Sequence, residues 1–225
     1  AKYSIASCSS QAIASGKVRM QGYQAVDLIN GLERYDGYTH QFYKSFTPTL
    51  QDRIKDFAQQ GGRLLVSGSY TGSDMQAEAE QDFLGKVLKV KYEPTGTKHI
   101  VETIDPQDST VSQRDSIATT ASSVQGMGLL FQYQNVLSAK HYAATHPEIL
   151  NPAAQADTTA TESAEPSAIV QPFTAMQYTT GTSAAVAYKG KDYRTFVMGF
   201  PFECIIDEKT RNGVMAGILK FLTEE

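Results

Sequence analysis

Cysteine is scarce in this chain: Cys8 and Cys204 are the only two in 225 residues. Two cysteines make no disulfide framework for a domain of this size, and neither stands in a CxxC or metal-ligand spacing. Buried free thiols are expected, with a single bridge left open. Histidine is nearly as sparse. His40, His99, His141 and His146 share no helix face at HxxxH spacing, which argues against a protein-built transition-metal site. No run approaches the roughly 18 apolar residues that a membrane-spanning helix needs, and no charged segment followed by an apolar one opens the chain. A basic excess is missing too. With a net charge of -4 and a pI near 5.6, neither nucleic acid nor an anionic membrane surface is an expected partner, and no cofactor is expected.

What is present is enough apolar material, 41%, for one large core, so residues 1–225 read as a single domain. Ala1 without a preceding methionine suggests a processed protein or a piece of a longer one. Strand-like runs alternate with helical ones, the pattern of a mostly parallel sheet covered on both faces. Residues 3–7 and 25–30 read as short strands, the second ending at Asn30-Gly31-Leu32-Glu33. Thr47-Pro48 opens a helix whose buried stripe is Leu50, Ile54 and Phe57, and Gly61-Gly62 stops it. Residues 63–67 form a continuous apolar run expected for a central strand. It empties into Gly68-Ser69-Tyr70-Thr71-Gly72.

Between about 86 and 168 the alternation breaks into short amphipathic strands (87–92, 100–104, 129–136), an expected antiparallel insertion. Residues 151–166, rich in Ala, Thr, Glu and Pro, are expected to form an exposed, mobile loop. Residues 184–188 and 195–199 read as strands joined by the polar hairpin turn Lys189-Gly190-Lys191-Asp192. Asp207-Glu208 then begins a last helix, buried through Val214, Ile218, Phe221 and Leu222. The expected fold is a three-layer, flavodoxin-like α/β domain.

The turn at 68–72 has the shape of a nucleophile elbow, G-x-nucleophile-x-G, with Tyr70 at its centre. A phenol with a reference pKa of about 10 is a poor nucleophile at neutral pH, so acyl transfer is disfavoured. The order of strand, helix, strand and elbow resembles the class I glutamine amidotransferase-like α/β domains. Their catalytic members carry cysteine at the elbow and a late Phe-His-Pro-Glu segment. Here the corresponding segment is Val197-Met198-Gly199-Phe200-Pro201-Phe202-Glu203. Glu203 is kept and Pro201 stands in place of histidine, so nucleophile and base are both absent. His146-Pro147-Glu148 looks like the missing motif, but no buried strand feeds into it, and it is set aside as a decoy.

Residues 61–70 and 199–203, with 3–10 and 24–33, are also similar to segments of secreted Bacteroidetes proteins called xanthan-lyase-like. The resemblance implies export, a periplasmic, cell-surface or extracellular location, and a link to polysaccharide use. Xanthan lyases themselves resemble a helical toroid with a β-sandwich, and this chain has no long helical repeats.

Three functions follow from these residues. The leading one is a non-catalytic accessory or binding domain for a saccharide or a neighbouring domain. Its site would lie at the carboxyl ends of the strands and be lined by Asn30, Glu33, Ser69, Tyr70, Ser73, Asp74 and Glu203. A hydrolase or deacylase would need Ser67, Ser69 or Ser73 beside His99, His141 or His146. A polysaccharide lyase would use Tyr70 as base with a flanking arginine, Arg211 or Arg114, and Glu203 to orient it. Asp27, inside an apolar strand, requires partners rather than a catalytic role.

Overall fold

The computed structural model describes residues 3–34, 43–94, 123–134, 143–144, 146–153 and 170–224. Along the chain these form α1 (Ser10–Ala14), β1 (Val26–Gly31), α2 (Pro48–Gln59), β2 (Arg63–Gly68), α3 (Glu78–Phe83), β3 (Val90–Tyr92), β4 (Ser123–Gly126), β5 (Leu129–Gln132), β6 (Leu150–Pro152), β7 (Phe173–Tyr178), β8 (Ser183–Lys189), β9 (Arg194–Met198) and α4 (Glu208–Thr223).

Seven of the strands make one sheet in the order β1-β2-β9-β8-β7-β4-β5, and β3 pairs β6 in a separate ribbon. Only β1, β2 and β9 run parallel. The pairings β9-β8, β8-β7, β7-β4 and β4-β5 are antiparallel. This overturns the expected mostly parallel, flavodoxin-like fold: the sheet is mixed and largely antiparallel. The cause lies in the connections. The links at 179–182, 190–193 and 127–128 are too short for a crossover and can only return the chain antiparallel. The link through α2, between β1 and β2, has crossover length, and these two strands are parallel. Within the region expected to be an antiparallel insertion, β4 and β5 extend the main sheet itself.

The central strands are buried on both faces, which explains their unbroken apolar runs. Leu65, Ala185, Ala187, Phe196 and Met198 pack toward Val214, Ile218 and Leu222 of α4. Their neighbours Leu64, Val66, Val186 and Val197 pack toward Leu50, Ile54 and Phe57 of α2. Each Val, Leu, Ile, Phe or Met among them contributes about 1.5–3 kcal/mol on burial. Pro48 opens α2 as expected, although Thr47 makes no side-chain capping bond. Gly62 is required by contact, because a Cβ there would lie 2.5 Å from Phe57 Cδ1. Asp207 caps α4 by accepting the Thr210 N–H at 2.7 Å.

Other local expectations shift. Residues 3–9 lie outside the sheet and are exposed throughout. Val87 and Leu88 of the expected strand 87–92 belong to a π-helical turn, Leu84–Leu88, which Lys89 ends in a left-handed conformation, and only Val90–Tyr92 is strand. Asn151 and Pro152 lie in β6 rather than in a loop, while residues 100–104 and most of 151–166 fall outside the described residues. The thiols are free, and only Cys204 is buried. No helix among the described residues is long and apolar enough to cross a membrane.

Candidate functional site

The carboxyl ends of β1 and β2 lie side by side because the two strands are parallel and in register, Ile29 beside Ser67 and Gly31 beside Gly68. Two backbone segments therefore leave the sheet at the same place. Residues 32–34 leave from β1, and residues 69–75 leave from β2. The Ser69 N–H donates to the Gly31 carbonyl at 2.8 Å and ties them together.

The turn after β2 departs from a nucleophile elbow in its backbone. Tyr70 is not among the residues with positive φ, nor are Gly68 and Gly72, so the strained conformation that exposes an elbow nucleophile is lacking. The two glycines are required by close approach instead. A Cβ on Gly68 would lie 2.9 Å from Asn30 Cβ, and one on Gly72 would lie 2.6 Å from Tyr92 Cβ. No regular helix follows directly, since α3 begins only at Glu78.

The segment set aside as a decoy docks on this turn. Glu148 is 1% exposed, and its carboxylate accepts the Gly72 N–H at 2.7 Å and the Ser73 N–H at 2.9 Å. The Ser73 hydroxyl also bonds it. Its backbone is held as firmly: its N–H donates to the Gly199 carbonyl at 2.7 Å, and its own carbonyl accepts the Tyr178 hydroxyl at 3.0 Å. Gly199 must be glycine there, because a Cβ would come 2.1 Å from the Glu148 carbonyl oxygen. Burial pushes the Glu148 carboxyl up to about 7, against the three hydrogen bonds, which favour its ionised form.

The same segment brings His146 to Tyr70, with ring centroids 5.3 Å apart and planes inclined by 35°. From the β1 side, the Arg34 guanidinium lies over the Tyr70 ring, 4.7 Å from its centroid. Tyr70 is half-buried, while Arg34 and His146 are exposed. Burial raises the phenol pKa, Arg34 opposes that rise and Glu148 adds to it, with the net shift upward. Burial first, and then Arg34, lower the His146 pKa.

Of the residues expected at the site, Tyr70, Glu33, Ser73 and Asp74 do converge, but most of them hold the turn together. Asp74 accepts the Ser45 N–H at 2.8 Å. The Ser45 hydroxyl donates to the carbonyls of Glu33, at 3.0 Å, and Tyr70, at 3.1 Å. Lys44 donates to the Asp74 carbonyl at 2.7 Å and pairs with Glu80 at 2.7 Å. Glu33 is half-buried, and burial, then Asp74, raise its carboxyl.

Asn30, Ser67 and Ser69 are buried beneath the surface, with Asn30 Nδ2 and both serine hydroxyls lacking a hydrogen-bond partner. Among the described residues, neither serine is thus paired with a histidine. Glu203 does not orient Tyr70; its electrostatic partner is Asp27. That carboxyl is exposed at the sheet edge, and surrounding protein and then Glu203 push it up to about 6. Arg211 donates to the Ile205 and Ile206 carbonyls ahead of α4. His99, His141 and Arg114 lie outside the described residues.

Sequence reasoning missed Arg34 and dismissed His146 and Glu148. Arg34 carried a usable signal, since it follows the carboxyl end of a parallel strand, where open sheets bind ligands. Glu148 carried none, because 76 positions separate it from Gly72. The chain matches no family model, no curated protein and no solved structure.

Proposed function

We propose that the chain is a non-catalytic accessory or binding domain that takes a saccharide, or a neighbouring domain, at the carboxyl ends of β1 and β2. The observation that carries this reading is the Glu148 carboxylate seated on the Gly72 and Ser73 N–H groups. Backbone N–H groups of that kind would hold an oxyanion in an acyl-transfer enzyme. Here a buried side chain of the same protein fills them. Tyr70, in the nucleophile's place, has an unstrained backbone and a raised pKa. The similarity to secreted xanthan-lyase-like proteins adds export and polysaccharide use to the proposal. Glycan-array binding by the wild-type chain, abolished by Tyr70→Ala, is the expected result; binding to no glycan would remove the saccharide from it.

One observation favours a second reading. Arg34 over Tyr70 is the arginine-flanked tyrosine that a lyase would need to abstract the proton α to a uronic carboxylate. Against it, burial outweighs Arg34 and leaves the phenol harder to ionise. Release of unsaturated sugars from uronate polysaccharides, lost in Tyr70→Phe, would establish the lyase in place of the binding domain.

A further inference from the structure

The groups that face solvent at this site differ in charge from those that hold it together. Two of its carboxylates are bonded to the protein, Glu148 to the turn's N–H groups and Asp74 to the Ser45 N–H, and Glu33 is half-buried. Lys44 is committed to Glu80 and to the Asp74 carbonyl. Arg34 is exposed, and none of the ion pairs among the described residues includes it.

Its contact is instead with the Tyr70 ring at 4.7 Å. That contact holds the guanidinium carbon over the ring, and among the described residues no ion pair takes up its N–H groups. The planar N–H fork of a guanidinium matches the two oxygens of a carboxylate or sulfate, and it binds best when the side chain is already ordered. The imidazole of His146 lies against the same ring at 5.3 Å. Because guanidinium and imidazole both engage Tyr70, less of the ring is left for a neutral sugar to stack on.

Resting on the binding reading above, we propose that the ligand carries an anionic group, a carboxylate or sulfate on a saccharide, received by Arg34 with His146 beside it. Binding is measured for the whole chain to polygalacturonate, dextran sulfate and neutral dextran at about 0.15 M salt, where weak long-range attraction is screened. At least one polyanion is expected to bind about tenfold or more tighter than dextran. Arg34→Ala should fall to the dextran level and Arg34→Lys should recover only part, since lysine offers no planar fork. The preferred polyanion identifies the group.

Arg34 is exposed with no ion pair among the described residues, so the variants should keep the wild-type melting temperature, which is measured alongside. Dextran binding as tightly as the polyanions, or polyanion binding unchanged in Arg34→Ala, overturns the anion proposal. If dextran binding is then lost in Tyr70→Ala, the binding reading stands without it. No binding to any of the three polymers overturns both.

Discussion

The Glu148 carboxylate and the Gly72 backbone N–H lie 2.7 Å apart although 76 positions separate them in the chain. This bond, with its companion to Ser73 at 2.9 Å, satisfies two N–H groups that the start of a helix would leave without an intrahelical partner. Removing the acceptor leaves both donors buried. Glu148→Ala is expected to cost about 3 kcal/mol, and Glu148→Gln less, because one amide oxygen remains to accept. Urea denaturation of the two variants checks this; an Ala variant as stable as wild type would mean that the donors find water.

The pH dependence of stability follows from the same residue. Its carboxyl is raised from 4.5 to about 7 in the fold, so the folded state favours the protonated form. That contribution is fully present below about 4.5 and is lost as pH rises through about 7. Asp27, raised from 3.8 to about 6, acts with the same sign at a lower pH. Urea midpoints should therefore fall between pH 5 and 8, and Glu148→Gln should flatten the upper part of that fall. A midpoint that rises over this window would show that the hydrogen bonds outweigh burial.

Two glycines separate close approach from helix propensity. Gly199→Ala would place a Cβ 2.1 Å from the Glu148 carbonyl oxygen, and the backbone shift it forces should cost about 3 kcal/mol or more. Gly213, exposed in the middle of α4, has nothing nearer than Leu129 Cδ1 at 3.6 Å. Gly213→Ala should stabilise the protein by about 0.5–1 kcal/mol. Thermal melts of the two variants should shift in opposite directions.

Ser67 and Ser69 are fully buried with unpartnered hydroxyls. Replacing either by alanine removes a polar group that has lost its water without gaining a bond. Stability should be unchanged or rise by up to about 1 kcal/mol. A marked loss in calorimetry would reveal a bonding role for that hydroxyl.

His146 reports on Arg34. Its pKa is lowered from 6.5 by burial and then by the neighbouring guanidinium. Arg34→Ala should bring the titration midpoint of the ring protons, followed by NMR, back toward 6.5. An unchanged midpoint would leave burial as the whole cause.

The sequence by itself determined those parts of the protein whose cause is local. Pro48 and the stripe Leu50, Ile54 and Phe57 determine α2, Asp207 starts α4, and the apolar run at 63–67 produces a central strand between β1 and β9. In each case the period of the apolar residues and the capping chemistry act within a few positions. The polar turn at 189–192 gave the hairpin of β8 and β9, whereas the short turns at 127–128 and 179–182 also carried the antiparallel topology, which the reading of alternating strands and helices overrode.

Only the tertiary structure decided the site. Which glutamate meets the turn depends on strand order: β2 beside β9 and the close pass of residue 148 over Gly199 select Glu148. Glu203, the sequence choice, faces Asp27 instead. No local propensity encodes a carboxylate that must cross 76 positions to satisfy two N–H groups. The same packing turns Asp74 and Ser69 inward and leaves Arg34 and His146 in solvent, because buried polar groups go where partners or space exist.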